Sequence, residues 1–145
     1  LDQAETRGGL HIVSDVGSRL PLYCTSQGKV LLANMSRAGA EALLRAQPMT
    51  QFTPHTVTDP SALMREIETC RANGYAIENG EYKIGLRSVS APVYTVEGKA
   101  AYAVGVIGMF RSPHSEEFHA AVEQVCVTAS MISTALGYRK QEETL

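Results

Sequence analysis

Gly85-Leu86-Arg87-Ser88-Val89-Ser90-Ala91-Pro92-Val93-Tyr94-Thr95-Val96-Glu97-Gly98-Lys99-Ala100-Ala101-Tyr102-Ala103-Val104-Gly105-Val106-Ile107-Gly108-Met109-Phe110 is the longest β-prone region of the chain. Val89, Val93, Tyr94 and Val96 mark a strand over residues 85–96, and a Val-, Ile- and Gly-rich run over 101–110 marks another. Between them, Val96-Glu97-Gly98-Lys99-Ala100 reads as a hairpin turn, so the two strands are antiparallel neighbours at the centre of a sheet.

Working outward, the flanks are helical. Asp59-Pro60 is a strong start signal: a carboxylate cap followed by a proline whose missing N–H is harmless in the first turn. The helix it opens carries Leu63, Ile67 and Cys70 on one face and stops at Asn73-Gly74. Ser36 caps a second helix over residues 37–46, with Ala40, Leu43 and Leu44 sharing a face, and residues 47–58 are irregular. After the hairpin, Ser112-Pro113 opens a long helix with Phe118, Val122, Val125, Ala129, Ile132 and Leu136 in 4-and-3 steps, ending at Gly137. Near the start, residues 11–16 and 20–24 read as short strands around Gly17-Ser18, and a helical stretch begins near Gly28. The order of elements implies an α+β layer fold with an antiparallel sheet.

Composition narrows the function. The 145 residues are 44% hydrophobic, enough for one globular core. Thirteen basic and fifteen acidic side chains form no run of one sign that would track phosphates or a membrane surface. Cys24, Cys70 and Cys126 are odd in number and lack metal-ligand spacing, so disulfides are not expected and a reducing cytoplasm fits best. No signal peptide or membrane-spanning run is legible. A first residue that is not Met, ahead of a featureless opening ten residues, suggests a fragment of a longer protein.

Three chemistries fail on spacing. A phosphate loop ending in Gly28-Lys29 needs a glycine where Tyr23 stands and a hydroxyl residue where Val30 stands. His114 and His119 are five apart, about 140° around a helix, and cannot share a metal, so they belong to a solvated first turn whose acids suit the helix dipole. No Gly-x-Ser-x-Gly elbow supports a hydrolase. No catalytic residue, metal or cofactor is expected.

Two polar stretches remain. At Thr25-Ser26-Gln27-Gly28-Lys29 the free amides of a helix start could hold an anion, with Gly28 allowing close approach; the plainer reading is that Thr25 or Ser26 caps the helix and Lys29 points to water. At Gly74-Tyr75-Ala76-Ile77-Glu78-Asn79-Gly80-Glu81 the acids and amide could accept hydrogen bonds from a ligand's hydroxyls, or form an acidic surface turn. Arg87 reads as a carboxylate's partner, and Ser88 and Ser90 as either pocket residues or outward residues of a half-exposed strand.

These two stretches, Gly85-Leu86-Arg87-Ser88-Val89-Ser90-Ala91-Pro92-Val93 and the closing Leu136-Gly137-Tyr138-Arg139 closely resemble, in order and spacing, the effector-binding domain of the IclR family of bacterial transcription regulators. The resemblance covers nearly the whole chain. It implies a GAF-like (PAS/profilin-like) antiparallel sheet flanked by helices, without its first helix and strand, and a pocket for a small metabolite. It also implies homodimers or homotetramers, no membrane partner, and operator DNA bound only through an N-terminal winged helix-turn-helix domain absent from this chain.

The resemblance places the effector at Ser26, Gln27, Gly28, Glu78, Ser88, Gly105 and Ile107. Glu78 stands where relatives commonly carry Asp, and Ser88 where the pattern Arg-Cys-x-Ala-Ala-Pro has Cys. Gly105 and Ile107 replace two hydroxyl residues that share one face of the last strand. That loses hydrogen-bonding capacity and adds apolar surface. The implied effector is a small organic acid, sugar acid or aromatic acid, held by donors at Ser26, Gln27 and Gly28 and by Glu78 and Ser88, with Ile107 against its carbon skeleton. The alternative is a ligand-independent oligomerisation module whose pocket has decayed.

Overall fold

The computed structural model describes residues 16–139 together with Asp2 and Ala4. Four helices and three strands follow in the order α1 (Ser26–Ala33), α2 (Arg37–Arg45), α3 (Pro60–Asn73), β1 (Ala76–Asn79), β2 (Arg87–Tyr94), β3 (Ala100–Gly108) and α4 (Glu116–Ala135). The strands form one antiparallel sheet in the order β1-β2-β3.

Local chemistry sets the helix ends. Asp59 accepts from the amides of Ser61 and Ala62 ahead of Pro60, and Gly74 closes α3 in the left-handed conformation at φ 77°. Ser36 caps α2 through the Gly39 amide. The hairpin turn is fastened by Thr95 N–H to the Lys99 carbonyl at 2.9 Å and Gly98 N–H to the Thr95 carbonyl at 2.8 Å. α4 starts later than Ser112-Pro113 suggests: Ser115 is the cap, accepting from the Phe118 amide, while the Ser112 carbonyl is used by a preceding turn.

Alternation along β2 splits the core in two. Val89, Ala91 and Val93 pack with Phe118, Val125 and Ala129 of α4 on one face. Ser88 and Ser90 point to the other face, where their hydroxyls meet Ser26 on α1. A second apolar cluster, built on Leu32, Ala40, Leu44, Leu63 and Ile67, ties α1 to α2 and α3. The helices therefore flank the sheet, with α4 on its apolar side and the first turn of α1 against its polar side.

One expected strand is not borne out, and another lies almost wholly outside the described residues. Residues 20–24 form bends and turns rather than a strand. Their apolar pattern arises because Tyr23 and Cys24 are driven into the helical core while Thr25 bonds the Pro21 carbonyl at 2.7 Å. Of residues 11–16, 11–15 lie outside the described residues, and Val16 and Gly17 sit in a turn.

Candidate effector-binding site

The site begins at the first turn of α1. Thr25 is the cap, its hydroxyl accepting from the Gly28 amide at 3.2 Å, so Ser26 is free to project toward the sheet. The Ser26 hydroxyl donates to Ser88 Oγ at 2.8 Å and lies 2.7 Å from Ser90 Oγ. Ser88 in turn donates to Glu78 Oε2 at 3.2 Å. The other Glu78 oxygen accepts the amides of Glu81 at 2.5 Å and Tyr82 at 3.1 Å. Ser26, Glu78, Ser88 and Ser90 are all buried.

The same helix turn returns to this loop by a second route. Lys29 is 1% exposed and its Nζ donates to both Glu81 oxygens, at 2.6 and 2.8 Å, and to Glu66 of α3 at 2.7 Å. A ring therefore closes: Lys29 holds Glu81, the Glu81 amide holds Glu78, Glu78 holds Ser88, and Ser88 holds Ser26, three residues before Lys29. Burial alone would lower the Lys29 pKa, but the charges and hydrogen bonds of Glu81 and Glu66 carry it above its ordinary value. Thr53 and Thr56 fix the loop from outside, donating to the Gly80 and Glu81 carbonyls.

Several sequence-based expectations change here. Lys29 does not point to water; its partners lie 37 and 52 residues away. Glu78 and Glu81 are not a surface turn, and Ser88 and Ser90 do not face outward. Among the described residues Arg87 meets no carboxylate: it donates to the Phe110 carbonyl, and its Nε is buried without a hydrogen-bond partner there. Gly28 serves the fold, because a Cβ there would lie 2.3 Å from the Leu22 carbonyl oxygen and 2.4 Å from its Cα. Its amide is already spent on the Thr25 cap, so the expected backbone donor to a ligand is not free.

The remaining expected residues gather as follows. Gln27 Oε1 approaches the Ser26 hydroxyl at 3.3 Å. Gly105 and Ile107 pair across the ladder with Ser90 and Ser88 and so lie on the face toward α1. Ile107 is 42% exposed. A Cβ on Gly105 would fall 2.1 Å from Ser90 Oγ and 2.6 Å from the Val89 carbonyl oxygen, so the glycine makes room for the serine beside it. Ser90 thus joins the buried hydroxyl cluster, although the resemblance does not name it. Its hydroxyl replaces, from β2, polarity that β3 lacks.

Residues 1–134 match the family described as bacterial transcriptional regulator IclR C-terminal. The chain belongs to the IclR family. It is similar to the HTH-type transcriptional regulator BhcR of Paracoccus denitrificans, 32% identical over 140 residues that make up 97% of the chain and 50% of BhcR. It is also similar to the repressor AllR of Escherichia coli, 30% identical over 139 residues, 96% of the chain and 51% of AllR. Among solved structures, the Thermotoga maritima IclR superposes with a TM-score of 0.87 at 31% identity, covering 94% of the chain and 56% of that protein. The C-terminal domain of E. coli KdgR gives 0.77 at 31% identity, over 84% of the chain and 74% of that domain. The chain spans about half the length of the curated relatives it matches. This IclR-family domain thus belongs with transcriptional regulators, not enzymes, and has the mixed antiparallel fold of their C-terminal domains. Among the described residues no helix is long and apolar enough to cross a membrane.

Proposed function

We propose that this domain senses a small metabolite, an organic, sugar or aromatic acid, at the Ser26–Glu78–Ser88 cluster, and that occupancy modulates operator binding by an N-terminal DNA-binding domain of the full regulator in the cytoplasm. One observation carries the reading. Side chains from α1, β1 and β2, separated by up to 62 positions, converge on a single buried hydrogen-bonded cluster at the positions where the family pattern puts the effector. A buried polar cluster in a domain of this size needs a reason, since an apolar replacement would be cheaper to bury. Binding would act by favouring one subunit arrangement over another.

Self-association as a homodimer or homotetramer is part of the same proposal, with α4 as the contact. Val127 and Met131 are 54% and 67% exposed on its outer side. No charged residue occurs between Glu123 and Arg139. Antiparallel pairing of two copies through α4 would set this uncharged, apolar stretch against its own counterpart.

A specific observation favours a second reading. The Ser26, Ser88 and Ser90 hydroxyls satisfy one another, as expected of a ligand-independent oligomerisation module that has filled its pocket. Thermal unfolding against a panel of organic, sugar and aromatic acids separates the two. A ligand that binds only the folded state adds about 2.7 kcal/mol at one hundred times its dissociation constant. A saturable rise in Tm with one chemical class supports sensing; a flat response across the panel supports the second reading.

A further inference from the structure

The hydrogen bonds of the serine cluster have a direction, and it restricts what can join them. A carboxylate only accepts, so the end of the chain at Glu78 is fixed: Oε1 takes the Glu81 and Tyr82 amides, and Oε2 takes the Ser88 proton. Ser88, its one proton committed, accepts from Ser26 at 2.8 Å. Ser26 then has no proton left, so Ser90, 2.7 Å away, donates to it. Gln27 Oε1 competes for the Ser26 proton from 3.3 Å and loses on distance. The order is Ser90 to Ser26 to Ser88 to Glu78, with the open end at Ser90.

We propose that the effector joins this chain through an alcohol or phenol hydroxyl inserted between Ser90 and Ser26, with Ser90 as a specificity-determining residue; the inference rests on the sensing reading above. A hydroxyl both accepts and donates, so it can take the Ser90 proton and give its own to Ser26 without reversing anything downstream. A keto or carboxylate oxygen set there would face a Ser26 lone pair with no proton between them. An ammonium would leave the Ser90 proton without an acceptor. Insertion displaces one contact, that between Ser26 and Ser90, and leaves the Ser26–Ser88 and Ser88–Glu78 links intact. Gly105 is what permits a serine at position 90, because any side chain on it would occupy the space of Ser90 Oγ. Ile107, paired with Ser88 and 42% exposed, offers an apolar wall for the effector's carbon atoms.

The test uses matched acids that differ by one group: glycolate and acetate, lactate with propionate and pyruvate, malate and succinate, 3-hydroxybenzoate and benzoate. Affinities come from thermal shift and calorimetric titration of the chain. The expected result is binding by the hydroxyl member of one set, with its deoxy or keto partner at least tenfold weaker. Glu78→Gln, whose amide can donate to Ser88, lets the chain run backwards and should shift preference toward the keto member. Should Glu78→Gln fold poorly, Ser88→Ala cuts the link that commits the Ser26 proton and should collapse the discrimination to within threefold. A wild-type chain that binds deoxy or keto partners as well as the hydroxy acid, or a Ser88→Ala chain that discriminates as before, overturns this inference while sensing stands. No binding by any member overturns both.

Discussion

Replacing Lys29 by Met tests whether the buried ring is structural capital or decoration. The substitution keeps the unbranched stem and removes the charge. Glu66 is 44% exposed at its side chain and can turn to water, whereas Glu81 is 9% exposed and has no second cation among its hydrogen-bond partners. Its backbone cannot follow it outward, because Thr53 and Thr56 hold the Glu81 carbonyl and Glu78 holds its amide. The expected cost is therefore that of breaking a buried pair, about 3–5 kcal/mol, most of it the stranded Glu81 charge. Urea denaturation at constant m-value measures it, with a fall in Tm of about 3 °C per kcal/mol for a domain of this length. Glu81→Gln placed on top of Lys29→Met should recover part of the loss by removing the unpaired charge. A loss below about 1 kcal/mol, the range of exposed ion pairs, would refute the reasoning, as would a double variant less stable than the single one.

The same pair predicts an alkaline limb. The folded Lys29 pKa lies above its ordinary 10.5, so its contribution is complete below that value and is lost as pH rises through the folded pKa. Unfolding midpoints above pH 10 should fall more steeply for the native chain than for Lys29→Met. Gly28→Ala should destabilise the fold by about 1–3 kcal/mol in urea despite alanine's better helix propensity, because the clash is with the Leu22 backbone; a neutral effect would contradict the close approach. Gly105→Ala should also destabilise, and Ser90→Gly should relieve part of that loss, read as a coupling energy in a double-mutant cycle. Met131→Glu should lower the sedimentation mass of any self-associated form; an unchanged mass would remove α4 from the contact. Native Cys24, fully buried with its thiol pKa pushed up to about 12 mainly by burial, should resist thiol reagents until the chain unfolds.

Much of the architecture follows from short-range chemistry. Asp59-Pro60 and Asn73-Gly74 bound α3, and the turn around Gly98 joins two β-prone runs, because caps and turns act within four or five residues. Periodicity failed where both sides of an element are buried. Ser88 and Ser90 alternate with Val89 and Ala91, the usual mark of a half-exposed strand, but α1 covers the polar side with a serine of its own. Residues 20–24 alternate like a strand, yet their apolar side chains come from a loop folded onto Gly28.

What the sequence determined by itself is therefore the order of α2, α3, the antiparallel β2–β3 hairpin and α4, the family, and, through the family pattern, Ser26, Glu78 and Ser88 as candidate site positions. Only the tertiary structure decided that Lys29 is buried between Glu81 and Glu66, that Gly28 serves Leu22, and that Gly105 makes room for Ser90. Each of those facts is a contact between residues far apart in the chain, except the Gly28 approach, which depends on how a loop doubles back. A side chain's fate in such contacts is set by whichever distant group meets it and whether water is excluded there. Local spacing carries no record of either.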